Sequence, residues 1–536
     1  MRPAGYVPQR DRKAVSMSVM PPESQQLVLP DDEHNRNLVA NVHPSNWVNP
    51  EPVDRYNIVV IGAGTAGLVT AVVAAGLGAK VALIERHLMG GDCLNVGCVP
   101  SKGLLRAANA WAQLRDAPAF GAHIQTGVTY DFGAAMARMR QLRARISHMD
   151  SAHRYKSLGV DVYIGQARFA GQDTVAVEGP AGNRIVPFVK AAVCTGAKAS
   201  APPIPGLEEA GYLTNETVFS LTALPARIGV IGAGPIGCEL AQALARFGSR
   251  VSLIEAMHGI LPNEDRDAAE LVHQSMTRDG VTLHCCGKDL KVEKTTDGKR
   301  LTVDSHGRSY DLTVDEILVG VGRTPNVQGL GLEAIGVEFD KTGVKVNDRL
   351  QTTNPRIYAA GDICSRYKFT HAADAMAQIV IQNALFPHPF GLGYASVDSL
   401  IMPWCTFTTP EIAHVGLYEA DAIKKGLEVE TYTYNFHEVD RAILDGEEEG
   451  FARIHIRKGT DTILGATIVG AHAGDLISEV SVAMKAGAGA KTIAATIHPY
   501  PTRAEVIKKA VNLWRKAHFT PRTKSLLARL FAWIRR

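Results

Sequence analysis

The sequence has little net charge and few cysteines for its length. Its 57 Lys and Arg residues are nearly balanced by 54 Asp and Glu residues, which leaves a formal net charge of +3 over 536 residues. This positive excess is too small to indicate nucleic-acid binding. The 8 cysteines are scattered along the chain, unlike the dense frameworks of secreted domains. The sequence therefore predicts a reducing compartment such as the cytoplasm.

Secretory and membrane-spanning patterns are also lacking. Residues 1–20 contain charges and prolines but no continuous apolar core, so we expect no secretory signal there. One uncharged run, Ile58–Ala79, is long enough to cross a bilayer. Its spaced glycines are instead typical of a buried strand, a tight turn and a helix. A chain of 536 residues is expected to form several domains.

Two segments carry the fingerprint of a dinucleotide-binding fold. In each, an apolar strand leads into a G-x-G-x-x-G turn, a helix and a second strand that ends in glutamate. The glycines allow a pyrophosphate to approach the helix N-terminus, and the acid is placed to bind a ribose. Two copies imply two dinucleotides, and a flavin with a nicotinamide is the chemically sensible pair. The residues are Gly62, Gly64, Gly67 and Glu85 in the first copy, and Gly232, Gly234, Gly237 and Glu255 in the second.

Two cysteines, Cys93 and Cys98, follow the first fingerprint within a run of small and apolar residues. Their spacing lets the sulfurs meet across one distorted helical turn, and a helix N-terminus with Lys102 nearby lowers a thiol pKa. Taken alone, such a pair is compatible with core cysteines, metal ligands or a redox-active disulfide. A zinc site would need two further ligands with matching spacing, and the neighbouring sequence offers none.

In this order, the motifs resemble those of the pyridine nucleotide-disulfide oxidoreductases, the family of dihydrolipoamide dehydrogenase, glutathione reductase and mercuric reductase. The resemblance covers residues 55–517. It implies an α/β fold with two Rossmann-like dinucleotide-binding domains, for FAD and NAD(P), and a C-terminal α+β dimerisation domain. It also implies that Cys93 and Cys98 form a redox-active disulfide, with Cys98 next to the flavin and Cys93 facing the acceptor.

The domain boundaries expected from the resemblance divide the chain into six segments. They are an N-terminal extension of low order (1–52), the two parts of the FAD domain (53–203 and 326–396), the NAD(P) domain (204–325), the dimerisation domain (397–520) and a basic amphipathic tail (521–536).

The resemblance also assigns residues around the two nucleotides. Glu239 matches the family glutamate that pairs with the lysine flanking the disulfide, which is Lys102 here. A helix expected at residues 372–384 should direct its N-terminus at the flavin ring. Glu255, with no arginine directly after it, favours NADH and leaves NADPH as the alternative. The other contacts implied are Thr195, Gly196, Gly361 and Asp362 for FAD, and Gly322 for the nicotinamide dinucleotide.

The segment near the C-terminus departs from most of the family. Tyr500 occupies the slot in which dihydrolipoamide dehydrogenase and glutathione reductase have a catalytic histidine, and Glu505 matches the glutamate paired with it. In the family this segment reaches the disulfide of the other subunit. A phenol is a poor proton shuttle near neutral pH. Mercuric reductases have a tyrosine at the position of Tyr500. They have another tyrosine before the nicotinamide domain, which Tyr212 resembles. We therefore expect a homodimer that uses NADH to reduce a soft metal ion such as Hg(II).

Alternatives to this interpretation remain open. Mercuric reductases deliver their metal through a C-terminal cysteine pair, whereas the last cysteine here is Cys405. A small disulfide is therefore an alternative acceptor, for which His498 would have to act as the base. A redox sensor tethered to a membrane by the basic tail is a third possibility, and the tail could equally dock on the dimer. No resident metal site is expected, and Cys285 and Cys286 are interpreted as structural.

Overall fold

The computed structural model describes residues 27–123, 129–179 and 182–535. The strands are β1 (Tyr56–Ile61), β2 (Val81–Glu85), β3 (Val160–Ile164), β4 (Gln166–Gly171), β5 (Thr174–Gly179), β6 (Gly182–Val193), β7 (Ala197–Ala199), β8 (Arg227–Ile231), β9 (Arg250–Ile254), β10 (Val281–His284), β11 (Lys288–Thr295), β12 (Gly298–Ser305), β13 (Arg308–Val314), β14 (Glu316–Val319), β15 (Arg323–Pro325), β16 (Phe339–Asp340), β17 (Gly343–Val344), β18 (Ile357–Ala359), β19 (Pro403–Thr406), β20 (Glu411–Gly416), β21 (Val429–Asn435), β22 (Phe451–Arg457) and β23 (Ile463–Gly470).

The described residues also form sixteen α-helices. They are α1 (Glu33–Val42), α2 (Thr65–Gly76), α3 (Gly91–Asn95), α4 (Cys98–Asp116), α5 (Phe132–Ser147), α6 (Ala152–Ser157), α7 (Leu207–Ala210), α8 (Pro235–Arg246), α9 (Arg266–Arg278), α10 (Thr370–Leu385), α11 (Glu419–Lys424), α12 (Asp440–Asp445), α13 (Ala473–Lys485), α14 (Ala490–Ala495), α15 (Glu505–Ala517) and α16 (Pro521–Ile534).

The first nucleotide domain is built on a seven-stranded sheet. Its strand order is β3-β2-β1-β6-β5-β4, and β18 also pairs with β6. The strands β3, β2, β1, the end of β6 and β18 run parallel, whereas β4, β5 and the start of β6 form an antiparallel extension. The apolar β1 is almost completely buried between layers, as expected for a parallel strand covered on both faces. The carboxyl ends of these strands meet at one edge, where ligands of open α/β sheets bind.

The second nucleotide domain repeats this plan in a smaller form. Its parallel sheet has the order β10-β9-β8-β14, and the antiparallel sheet β11-β12-β13 extends the domain. The first turn of α8 requires glycine, because a Cβ on Gly237 would overlap the carbonyl oxygen of Gly232, just as one on Gly67 in α2 would overlap that of Gly62. The two fingerprints therefore produce the same strand–turn–helix packing.

The C-terminal domain is an antiparallel sheet with helices against it. Its order is β19-β20-β23-β22-β21, and α13, α14 and α15 contribute the apolar side chains that fill its core. Together with the two nucleotide domains, this sheet confirms the expected α/β class with an α+β C-terminal domain. None of the helices in the described ranges is both long and apolar enough to cross a membrane.

Part of the N-terminal extension packs on the first nucleotide domain. In α1, Leu38 and Val42 are fully buried, and Trp47 donates its indole N–H to β3. This part of the extension, expected to have low or partial order, therefore docks on the body of the domain through its apolar side chains. Residues 1–26, also covered by that expectation, lie outside the described residues.

Candidate redox site and nucleotide sites

Cys93 and Cys98 lie on consecutive helices separated by a break at Val96 and Gly97. Cys93 belongs to α3, and Cys98 is the first residue of α4. The break requires glycine, since a Cβ on Gly97 would lie 2.7 Å from the carbonyl oxygen of Asp92. Both cysteines are free thiols in the structure, and each shifts the pKa of the other. The fold thus brings the two sulfurs together, with Cys98 at a helix N-terminus.

The two thiols differ strongly in acidity. The pKa of Cys98 is lowered to about 6, mainly by the hydrogen bond from Cys93, although burial opposes the shift. Thr370, whose hydroxyl oxygen lies 3.4 Å from Cys98 Sγ, and the charge of Lys102 lower it further. The same bond raises the pKa of Cys93. At neutral pH the pair therefore holds one thiolate, on Cys98, and one proton, on Cys93.

An ion pair joins α4, which begins at Cys98, to α8 of the second nucleotide domain. Lys102 Nζ lies 2.7 Å from Glu239 Oε2, and the Glu239 side chain is only 7% exposed. The backbone N–H of Phe407 donates to the other carboxylate oxygen at 3.0 Å. The Phe407 ring centroid lies 4.4 Å from Lys102 Nζ. These contacts fix the ammonium group close enough to act on Cys98.

A cavity of about 1260 Å³ extends from the two cysteines. This volume exceeds the range of common small-molecule sites, so it can hold a dinucleotide. Thr65 and Thr370, the first residues of α2 and α10, also line it, and neither helix has a side-chain cap. Their free first-turn N–H groups suit a pyrophosphate and an electron-rich ring. Of the expected residues, the cavity is lined by Gly62, Gly64, Glu85, Cys93, Cys98, Lys102, Thr195, Gly196, Glu239, Gly361 and Asp362. The residues present therefore fit FAD.

Several residues of this cavity were not singled out from the sequence. Arg323 forms ion pairs with Asp92 and, at 3.4 Å, with Asp362. Burial raises the pKa of Asp362, while the charge of Arg323 opposes that shift. Thr370 is the first residue of α10 and lies beside Cys98. The sequence could have identified it only if it had predicted the first residue of this helix correctly. These contacts join segments far apart in sequence.

The acid of each fingerprint anchors its own glycine turn. Glu85 Oε2 accepts the N–H of Ala63 at 2.7 Å, and Glu255 Oε2 accepts that of Ala233 at 2.7 Å. Each carboxylate is thereby held at the carboxyl edge of its sheet, where a ribose can reach it. Gly322 directly follows Gly320 and Val321, which lie against the second glycine turn at Gly232, and its carbonyl oxygen accepts the N–H of Ser200 at 3.2 Å.

The residues expected from the dimerisation domain lie outside the cavity of their own chain. Tyr500 is 70% exposed, and its hydroxyl donates to Asp440 Oδ2 at 2.7 Å. His498 is different, because its side chain is 6% exposed and its Nε2 lies 2.8 Å from Glu479 Oε1. Glu505 begins α15, and its Oε2 has no hydrogen-bond partner among the described residues.

Tyr212 is placed apart from the other expected catalytic residues. Its side chain packs against the core of the second nucleotide domain, and its hydroxyl donates to Glu208 Oε1 at 3.1 Å. Tyr212 is not among the described residues that line the redox cavity. The structure therefore does not bring Tyr212 to Cys93 and Cys98 within one chain.

Comparison with known proteins extends over most of the chain. A family model described as pyridine nucleotide-disulphide oxidoreductase matches residues 56–377, and the dimerisation-domain model of the same family matches residues 402–511. The chain belongs to the pyridine nucleotide-disulphide oxidoreductase family. It is therefore a flavoprotein disulfide oxidoreductase, of a family that uses FAD and NAD(P)H, and it carries the family's dimerisation domain.

Relatives of the oxidoreductase include two kinds of enzyme. A mercuric reductase from Bacillus cereus is 34% identical over 465 residues, which cover 87% of this chain and 72% of that protein. A dihydrolipoyl dehydrogenase from Bacillus subtilis is 32% identical over 475 residues, with coverage of 85% and 97%.

Solved structures of similar fold cover most of the chain. A Cu(II) complex of the HOCl-induced flavoprotein disulfide reductase RclA from Escherichia coli has a TM-score of 0.75 and 28% identity, covering 86% of this chain and 100% of that one. LpdA from Mycobacterium tuberculosis has a TM-score of 0.77 and 27% identity, with the same coverage.

Proposed function

We propose that the protein works as a homodimer that oxidises NADH and delivers the electron pair through Cys93 and Cys98 to a soft metal ion such as Hg(II). Each turnover would convert NADH to NAD⁺ and a proton while Hg(II) gains two electrons to become metallic mercury. The observation that carries this proposal concerns residues 498–505, where Tyr500 is exposed and the single imidazole, that of His498, is nearly buried.

Reduction of a small disulfide needs a group that moves protons to and from sulfur near neutral pH. Tyr500 is poorly suited to this task, because its hydrogen bond to Asp440 raises the pKa of a phenol that is already too high. His498 is a poor replacement, because it is nearly buried and held by Glu479. A thiophilic metal ion needs two sulfur ligands more than it needs a base.

The chain's own residues supply the metal ligands and the electrostatics of this reaction. Cys98 presents a thiolate, and Cys93 becomes a second one when the metal ion displaces its proton to solvent. Lys102, oriented by Glu239, stabilises the negative charge on Cys98. FAD, when bound in the cavity, supplies the relay of an electron pair between the nicotinamide and the disulfide. Glu255 favours NADH because a carboxylate accepts the free ribose hydroxyls and repels a 2′-phosphate.

The names of the relatives support both metal and disulfide acceptors. Mercuric reductases and dihydrolipoyl dehydrogenases match the chain at similar identity. The RclA structure was solved with Cu(II), so copper belongs among the candidate acceptors. The choice of a metal ion as the acceptor therefore rests on Tyr500 and His498.

The test is steady-state oxidation of NADH by the FAD-loaded protein with Hg(II), Cu(II), lipoamide, glutathione disulfide or a quinone. We expect turnover with Hg(II) to exceed that with lipoamide by about 100-fold, the contribution of the missing acid–base group. NADPH should be used less efficiently than NADH, and Glu255→Ala should reduce this preference. A protein with both Cys93 and Cys98 replaced by serine gives the background rate. Fast lipoamide turnover that disappears in His498→Ala would favour the disulfide acceptor instead.

A second, peripheral role is favoured by the C-terminal helix α16. None of its residues is buried, and Leu526, Phe531, Trp533 and Ile534 are each more than half exposed. Its charged residues are all basic. An exposed helix with large apolar side chains and only positive charge suits the surface of an anionic membrane. The tail would thus attach the enzyme to such a surface without spanning it.

Vesicle binding tests this role of α16. The full-length protein is expected to co-sediment with vesicles that contain phosphatidylglycerol and to remain in the supernatant with pure phosphatidylcholine. Deletion of residues 521–536 should weaken binding by about tenfold or more, since several apolar side chains and basic charges are lost together. FAD content serves as the control for folding. Equal sedimentation of both proteins would contradict this role, and a deletion that instead dissociates the dimer would assign the helix to the dimer.

A further inference from the structure

A cluster of thiol and imidazole side chains lies in the second nucleotide domain, outside the redox cavity. His258 follows β9, Cys285 and Cys286 follow the neighbouring strand β10, and His306 is in the turn between β12 and β13. The ligand atoms of His258, Cys285 and Cys286 all lie within 4.8 Å of one another. None of the four residues lines the redox cavity.

Three of the donors, on His258, Cys285 and Cys286, are close enough to share a metal ion, and His306 lies beside Cys285. Cys286 Sγ lies 3.6 Å from His258 Nδ1, and Cys285 Sγ lies 3.2 Å from His306 Nε2. In tetrahedral zinc sites, Zn–S bonds of about 2.3 Å and Zn–N bonds of about 2.0 Å place neighbouring S and N ligands roughly 3.5 Å apart. Two sulfurs and two imidazole nitrogens are a common donor set of structural zinc sites.

Two residues of the cluster have an unusual backbone conformation. Cys286 and His306 both have left-handed backbone angles, with φ of 55° and 51°. Non-glycine residues adopt this region at a cost and persist there when the surrounding structure fixes them. Two hydrogen bonds do so here: the N–H of Cys286 donates to the carbonyl of Met257 at 2.9 Å, and Ser305 Oγ donates to the carbonyl of Cys285 at 2.6 Å.

We propose that Cys285, Cys286, His258 and His306 form a binding site for Zn(II) or another thiophilic cation of tetrahedral preference. Each thiol that becomes a ligand releases its proton to solvent, and no electron transfer is involved. The interpretation of the two cysteines as purely structural leaves out the histidines, which come from other turns of the domain. This site would be resident in the nucleotide domain and separate from the acceptor site at Cys93 and Cys98.

The test removes the competing redox thiols and measures zinc directly. The full-length, FAD-loaded protein with Cys93→Ser and Cys98→Ser, kept reduced with a phosphine, is titrated with Zn(II) by calorimetry and metal analysis. We expect one zinc ion per chain, bound about tenfold or more weakly in Cys286→Ser and in His258→Ala. X-ray absorption at the zinc edge should show two sulfur ligands at about 2.3 Å.

A matched control is available on α9 of the same domain. His273 is a partly exposed histidine whose ring nitrogen lies 3.4 Å from Glu270, so His273→Ala should leave zinc affinity unchanged. Circular dichroism and FAD retention establish that each variant is folded. The proposal is overturned if zinc affinity is the same in Cys286→Ser, His258→Ala and the parent, or if the bound zinc has no sulfur ligand. Either result would leave the proposed reaction at Cys93 and Cys98 intact, because those residues are absent from the titrated protein.

Discussion

Replacement of Cys93 by serine is expected to give a protein that, loaded with FAD, shows long-wavelength charge-transfer absorption without any reductant. The reason is that Cys98 can no longer form a disulfide and remains a thiolate, while serine preserves a hydrogen-bond donor next to it. Turnover with any acceptor should fall by about 10³-fold or more, since the exchange thiol is lost. Absorption spectra and steady-state NADH oxidation measure the two effects.

The same absorption should depend on pH in a defined direction. The pKa of Cys98 is lowered to about 6, so the thiolate and its absorption are present above that pH and are lost as the pH falls through it. In Cys93→Ala the main stabilising hydrogen bond is missing, so the midpoint should move to higher pH. Cys98→Ser should lack the absorption at every pH. Equal midpoints in Cys93→Ser and Cys93→Ala, or absorption in Cys98→Ser, would contradict the roles given to the two sulfurs.

The parts of the fold that could be predicted from the sequence are those with short-range signals. Gly62 and Gly67 fix a turn whose neighbours are only a few residues away, and Glu85 closes the same unit on Ala63. The second copy repeats this spacing, so the amino-acid pattern by itself is enough to identify both strand–turn–helix units. The family assignment, which depends on these units and their order, is confirmed.

Features that depend on distant segments could not be predicted in this way. β3 and β4 are consecutive along the chain, but β3 pairs in parallel with β2 and lies at the opposite edge of the sheet from β4. Thr370 reaches Cys98 across 272 positions of the sequence. His306 reaches Cys285 through a hairpin that the local pattern does not locate. In each case tertiary packing, rather than local periodicity, decides the contact.

Replacement of Tyr500 by histidine is expected to convert the protein toward reduction and oxidation of a small disulfide. An imidazole titrates near neutral pH, whereas the phenol of Tyr500 has its already high pKa raised further by the hydrogen bond to Asp440. A well-placed acid–base group contributes about 10²-fold or more, so NAD⁺-dependent oxidation of dihydrolipoamide should rise by at least about that factor. Because Tyr500 is 70% exposed, the substitution disturbs no core packing.

Two matched variants separate this effect from a general change in the segment. Tyr500→Phe removes the hydroxyl without adding an imidazole, so it should show no gain with dihydrolipoamide. Glu505 has a carboxylate oxygen without a hydrogen-bond partner among the described residues, and it is the group expected to orient the new imidazole. Adding Glu505→Gln to Tyr500→His should therefore reduce the gain about tenfold. If histidine and phenylalanine at position 500 gave equal rates, the residue in that slot would not select the acceptor, and the argument for a metal substrate would lose its main support.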